Sequence, residues 1–236
     1  MVQSLPSIPK IVGGSFTLQR VQAVNPTRGG NFMSVDLAEP LWSAEISTTP
    51  LSRAQAGPYD AFFAELRGTQ RTAYVWDAKR PRPYAYHSTG AVETVRRIGS
   101  STRRIGSSSR RIAASFTYAW GTPTITAISR TNGTLSVANC VAGMSWAPGD
   151  YIAWDDGETR RLHIVIAAAT ADASGAVVLT VEPTPPEAAG VTLPVAAIIE
   201  KAAAEMIVLQ ATVPWTVSGQ PSASFKGVQV LRPNAA

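Results

Sequence analysis

Residues 124–181 read TITAISRTNGTLSVANCVAGMSWAPGDYIAWDDGETRRLHIVIAAATADASGAVVLTV. Short apolar runs alternate in this stretch with turn signals, namely Asn132-Gly133, Pro148-Gly149, Asp156-Gly157 and Ser174-Gly175. Asn-Gly and Asp-Gly steps between such runs are typical of β-hairpins. Five or six short strands within roughly seventy residues indicate a compact antiparallel barrel or small sandwich. We place this small β domain at residues 123–204.

The residues on either side of this domain also have strand character. Strands are expected over 16–24, 32–37 and 71–77, and in Leu41–Thr48 the apolar residues Trp42, Ala44 and Ile46 alternate with polar ones. Two further strands, at 205–213 and 225–231, follow the small domain. A pair of strands alone is marginally stable, so we expect these two to return to the first sheet, which makes the small domain an insertion.

One segment has the pattern of a helix. Ser52 and Gln55 have the spacing of a capping box, and Tyr59, Phe62, Phe63 and Leu66 recur every three or four residues. Gly57-Pro58 is a possible break, and Gly68 supplies a stop. The prediction is therefore a mainly β chain. A β-sandwich assembly domain (16–122 plus 205–236) carries one short helix and the inserted domain, and residues 1–15 form an extended N-terminal arm.

Composition limits the classes of protein. Apolar residues make up 45% of the chain and charged residues 16%, which suits a protein with a packed core. No apolar run reaches the length of a membrane span, and the N-terminus lacks the layout of a signal peptide. We expect no membrane association. Cys140 is the single cysteine, so a disulfide within the chain and a cysteine-based zinc site are excluded.

The strongest local signal is a basic repeat. Arg-Arg-Ile recurs three times at seven-residue spacing, and the segment 94–149 holds seven arginines and no Asp, Glu or Lys. Gly and consecutive Ser oppose a helix, so we expect a basic hairpin arm at 94–115. Such an arm can contact phosphates, contact an acidic protein surface, or remain solvated. The six arginines of the repeat are Arg96, Arg97, Arg103, Arg104, Arg110 and Arg111.

Nothing in the sequence supports catalysis. His87 and His163 are the two histidines, and no Gly-x-Ser-x-Gly elbow marks a nucleophilic serine. His163 lies among apolar residues in a strand pattern, which favours a structural histidine with its hydrogen bonds satisfied. The pairs Gly13-Gly14 and Gly29-Gly30 lack the strand and helix of a phosphate-binding loop. We expect no enzyme and no cofactor.

An acidic cluster invites comparison with metal sites. Asp150, Asp155, Asp156 and Glu158 fall close together, but their spacing does not match a calcium-binding loop. Asp155-Asp156-Gly157 is a turn sequence in its own right. The prediction is a solvated hairpin turn with no metal.

Several segments together resemble the distal tail protein family of long-tailed bacteriophages, which joins the tail tube to the baseplate or tail tip. In the first domain they are Leu41–Thr48, Phe62–Gly68, Thr72–Asp77 and Phe225–Leu231. In the inserted domain they are Pro148–Tyr151, Arg161–Val165 and Gly175–Pro183. The arginine repeat matches no motif of that family.

The resemblance implies a non-enzymatic ring, a hexamer of this chain around the tail axis, with the tail tube protein and the tail hub protein as partners. DNA would pass through its lumen, and the protein would be located in the virion tail tip after assembly in the host cytoplasm. The basic arm would then lie at a subunit or tube interface, which we expect for the six arginines of the repeat.

Two alternatives remain open. The arginine repeat could make the chain a sequence-independent nucleic-acid-binding module, although the repeat has no aromatic residue for base stacking. The inserted domain could bind carbohydrate through Trp146, Tyr151 and Trp154, if these aromatic rings form an exposed stacking face. The other interpretation of the three rings is that they fill the small barrel.

Overall fold

A computed structural model describes residues 3–4, 11–26, 32–86, 120–157, 159–187, 190–213 and 221–231. It is mainly β with one α-helix, as the sequence predicted. The first strands are β1 (Gln3–Ser4), β2 (Ile11–Gln19), β3 (Gln22–Pro26), β4 (Phe32–Asp36), β5 (Leu41–Thr48) and β6 (Thr72–Trp76), with helix α1 (Arg53–Leu66) before β6. The later strands are β7 (Gly121–Ser129), β8 (Thr134–Cys140), β9 (Ser145–Trp146), β10 (Tyr151–Asp155), β11 (Arg160–Val165), β12 (Ala169–Thr170), β13 (Val177–Glu182), β14 (Val195–Ile198), β15 (Ala203–Thr212) and β16 (Ser224–Gln229).

Six strands from both ends of the chain form one sheet in the order β1-β6-β15-β16-β5-β2. All neighbours are antiparallel except β1 and β6, which are parallel. The two late strands β15 and β16 lie in the middle of this sheet, as expected for strands that return to the first domain. We expected a β-sandwich here. The described residues form this one large sheet, and helix α1 and the barrel supply the layer that packs against it.

Between β6 and β15 the chain forms a closed six-stranded barrel in the order β10-β11-β13-β8-β7-β14. Pairing of β14 with both β7 and β10 completes the closure. The barrel core includes Ile125, Leu135, Ile152, Trp154 and Leu179, all fully buried. The small antiparallel β-barrel is therefore present, and its strands span residues 121–198.

Helix α1 runs without interruption from Arg53 to Leu66. Ser52 precedes it, and the predicted capping box is present: the Ser52 backbone N–H donates to Oε1 of Gln55 at 3.0 Å. The expected break at Gly57-Pro58 is absent. Pro58 lies in the second turn of the helix, where its missing N–H removes one backbone hydrogen bond. The buried stripe of α1 offsets that loss by packing on the sheet.

One apolar cluster joins the sheet, the helix and the barrel. Phe63 of α1 packs on Phe225 of the sheet, and Tyr151 of β10 packs against Trp42. By strand alternation the side chain of Tyr151 points out of the barrel, and the sheet covers it. The outer face of β10 and β11 is therefore a second buried surface.

Strands β3 and β4 continue the β2–β5 pair beyond the sheet as a two-stranded hairpin. The Leu37 N–H donates to the Val21 carbonyl at 2.8 Å and keeps the register where the hairpin leaves the sheet. Five residues per strand make this arm about 17 Å long. We call residues 21–26 and 32–37 the hairpin arm.

Candidate interaction surfaces

Several residues singled out by the sequence lie outside the described ranges. They are His87, Glu158 and the six arginines Arg96, Arg97, Arg103, Arg104, Arg110 and Arg111. The expected basic hairpin arm at 94–115 also lies outside these ranges. The placement of the six arginines at an interface stays a prediction. Of the extended N-terminal arm predicted at 1–15, residues 3–4 and 11–15 belong instead to strands β1 and β2 of the large sheet.

The carbohydrate-binding alternative loses its stacking face. Trp146, Tyr151 and Trp154 are 2%, 6% and 0% exposed. Trp146 and Trp154 point into the barrel core, and Tyr151 packs on Phe16 and Trp42 of the sheet. Strand alternation places Tyr151 and Trp154 on opposite faces of β10, and both faces are covered. The exposed face that this alternative needs is therefore absent, and the other interpretation, that the rings fill the barrel, holds for Trp146 and Trp154.

His163 is a buried residue of the barrel. Its ring stacks on Trp154, and Nδ1 lies 2.7 Å from the Pro183 carbonyl oxygen, which assigns the proton to Nδ1. Burial lowers the pKa of His163 to about 4, with a smaller contribution from Arg161 in the same direction. The other ring nitrogen, Nε2, has no hydrogen-bond partner among the described residues. The residue is structural, as predicted, but only one of its nitrogens is satisfied.

Three carboxylates of the acidic cluster, those of Asp150, Asp155 and Asp156, make structural ion pairs and hydrogen bonds. Asp155 makes a two-point ion pair with Arg160, at 2.8 and 2.9 Å, and Asp156 pairs with Arg161 at 2.6 Å. Asp150 is buried and accepts two backbone N–H groups. Burial raises the Asp150 pKa, against the effect of those hydrogen bonds and of nearby Arg80. Within the described ranges no group of three metal-ligating side chains forms, and these three carboxylates are divided among separate partners.

The hairpin arm carries an exposed apolar face. The pairing of Ala23 with Val35, continued by Val21 with Leu37, places these four side chains on one side. Val21, Val35 and Leu37 are 56%, 59% and 65% exposed. The sequence predicted strands here, but alternation alone does not show that the two strands leave the sheet.

A cleft of about 320 Å³ separates the base of the hairpin arm from the barrel. Arg20 at the base pairs with Glu182 of β13 and lies 4.0 Å from Asp36. On the opposite wall Arg161 is 3.4 Å from Glu39. These pairs tie the base of the arm to the barrel, so the arm leaves the body of the protein in a defined direction.

A second cleft, of about 440 Å³, lies where the loop after β6 meets the turn before β10. This loop contains two prolines, Pro81 and Pro83. The cleft is lined by Lys79, Arg80, Arg82, Tyr84, Ala147, Pro148 and Asp150. An exposed tyrosine beside three cations is a feature that sequence reasoning missed, although the motif Lys-Arg-Pro-Arg-Pro-Tyr at 79–84 marks it.

No helix in the described part of the chain has the length and apolar character needed to cross a membrane. No protein-family model matches the chain, and a search of curated proteins finds no match.

Proposed function

We propose that this chain is a structural component of a phage tail tip. In this proposal six copies form a ring that joins the tail tube to the distal hub. The resemblance of its segments to distal tail proteins supports this function. So does the architecture, a sheet of early and late strands with a β-barrel between them.

The hairpin arm is the observation that carries the proposal. An isolated two-stranded hairpin is marginally stable in water, and this one holds Val21, Val35 and Leu37 in solvent on one face. A contiguous exposed apolar face typically marks a protein contact. The occupant we assign is a second copy of this chain. A ring uses a different surface on each side of every subunit, and a projecting arm on one side suits that arrangement.

The edge of the sheet beside the arm adds to this argument. β2 is the last strand in the sheet order, and among the described residues no strand pairs with its outer side. Nζ of Lys79 donates a hydrogen bond to the Gly14 carbonyl of β2 at 2.8 Å. Native proteins normally cover such edges. The arm and the β2 edge are continuous, so one neighbouring copy can cover both.

The test is the state of assembly of the full chain. Light scattering after gel filtration and negative-stain images should show a closed ring, by itself or after mixing with the tail tube and hub proteins. Val35→Asp should abolish the ring and leave the single chain folded, because Val35 is exposed in the single chain. Val178→Asp is the matched control, since Val178 is 60% exposed and belongs to barrel strand β13, outside the hairpin arm. A chain that stays monomeric with every tail component, or a Val35→Asp variant that still forms rings, would refute the proposal.

A further inference from the structure

We propose that the cleft formed by the loop after β6 binds the backbone of single-stranded nucleic acid, with Tyr84 as a stacking platform for one base. We call the cleft lined by Lys79, Arg80, Arg82, Tyr84 and Pro148 the basic groove. The groove uses neither the hairpin arm nor the arginine repeat; its Lys79 also contacts the Gly14 carbonyl at the β2 edge.

The loop is held in place by hydrogen bonds to the barrel and its flanks. The Tyr84 N–H donates to Oδ1 of Asp150 at 2.7 Å, and the Lys201 N–H donates to the Pro81 carbonyl at 2.7 Å. The Ser145 N–H donates to the hydroxyl of buried Tyr86 at 2.9 Å. The groove is therefore preformed, and a ligand does not have to order the loop.

Lys79 and Arg80 face outward, whereas Asp150, the carboxylate that lines the groove, is buried. Lys79 and Arg80 are exposed and have no carboxylate within ion-pair distance in the described residues. Both donate to backbone carbonyls instead, Lys79 to Gly14 and Arg80 to Gly149, each at 2.8 Å. Asp150 is 2% exposed, and two N–H groups occupy its oxygens. The surface presented to a ligand is positive.

Arg82 has a structural role in the groove. Its guanidinium is half-buried and donates twice to one oxygen of Glu200, at 3.0 and 3.1 Å. That ion pair fixes the wall of the groove and cancels most of the charge of Arg82. Lys79 and Arg80 are then the two groups able to neutralise phosphates, and each guanidinium or ammonium retains unused N–H donors.

Tyr84 decides between nucleic acid and an acidic protein segment. Its side chain is 76% exposed beside the two cations. An exposed ring next to a positive groove is the combination used by single-strand binders, because every unpaired base has a face for stacking. An acidic peptide would use the cations and leave the ring bare. Stacking on a tyrosine ring and charge contacts with phosphates do not distinguish one base from another, so we expect binding without sequence preference.

The experiment measures binding of the full chain to a labelled oligothymidylate of about 16 nucleotides by fluorescence anisotropy at low ionic strength. Tyr84→Ser should weaken binding about 10-fold through lost stacking. The double variant Lys79→Gln/Arg80→Gln should reduce the slope of log affinity against log salt by about 1.4, for two phosphate contacts. Arg130→Gln is the matched control, an exposed arginine outside the groove, and should change affinity little.

A variant with the six arginines of the repeat changed to Ser distinguishes binding by the groove from binding by the repeat. That variant should keep the Tyr84 effect. The inference is overturned if the full chain does not bind the oligonucleotide, or if the groove variants bind as tightly as the parent. It is also overturned if polyglutamate binds in its place and is lost with Lys79 and Arg80, which would identify an acidic protein partner. Ring assembly is tested with hairpin-arm variants, so failure of one proposal leaves the other standing.

Discussion

The indole Nε1 of Trp42 donates a hydrogen bond to the backbone carbonyl of Leu162 at 2.8 Å. Trp42 belongs to the sheet and Leu162 to the barrel, and both are buried. A specific polar contact within an apolar cluster therefore joins the barrel to the sheet, in addition to the two chain connections between them.

Trp42→Phe tests this contact. The change leaves the buried Leu162 carbonyl without its donor, which costs about 1–3 kcal/mol in addition to the lost volume. Trp146→Phe is the control, because Trp146 is equally buried and its Nε1 has no partner in the described residues. We expect Trp42→Phe to lower the free energy of unfolding by that amount more than Trp146→Phe in urea titrations. Equal losses would show that the hydrogen bond contributes nothing.

His163 should make the protein sensitive to acid. The pKa of His163 is about 4 in the folded state, against an ordinary value of 6.5 for an exposed histidine, so the unfolded state binds the proton first as pH falls. Stability is then full above pH 6.5, declines between 6.5 and 4, and levels off below 4, a total loss on the order of 3 kcal/mol. Urea midpoints measured across this range should fall in the parent and fall less in His163→Gln. Parallel curves for the two proteins would contradict the prediction.

Asp150→Asn should loosen the loop of the basic groove. Asp150 uses both oxygens, one for the Tyr84 N–H and one for the Ala147 N–H. The amide of Asn places a donor against one of those donors, which costs about 1–3 kcal/mol. Asp172→Asn is the control, since Oδ1 of Asp172 alone accepts the Ser174 and Ala176 N–H groups and Asn keeps that oxygen. A thermal melt should therefore shift for the Asp150 variant and remain nearly unchanged for the Asp172 variant.

Substitutions at two glycines distinguish the cost of backbone strain from the cost of a steric clash. Gly175 and Gly143 both have positive φ, 80° and 75°, which strains any other residue. A Cβ on Gly175 would lie 2.2 Å from the Cys140 carbonyl oxygen, whereas a Cβ on Gly143 meets nothing within 4 Å. We expect Gly175→Ala to destabilise the chain by at least about 2 kcal/mol more than Gly143→Ala. Denaturation of the two variants side by side checks this difference, and equal losses would show that the β8–β13 region yields to the extra atom.

The barrel was largely predictable because its strands combine alternation with hairpin turns. β14 was missed, since Val195–Ile198 is short and follows a proline-rich stretch. Alternation also failed to place Tyr151. A strand pattern shows which residues share a face, but not that the outer face of a barrel will be covered by a distant sheet. The basic groove was out of reach for the same reason, because its two walls are about 65 residues apart in sequence.

Placement of the barrel between β6 and β15 has a consequence for how the chain folds. These two strands are neighbours in the sheet, yet β6 ends at Trp76 and β15 begins at Ala203. During synthesis the barrel strands, complete at Ile198, leave the ribosome before the middle of the sheet exists. Closing a sheet over a long unstructured loop carries an entropic cost that grows with loop length. A barrel that folds first shortens the effective loop, and the central β6–β15 pair then forms as the late step of folding.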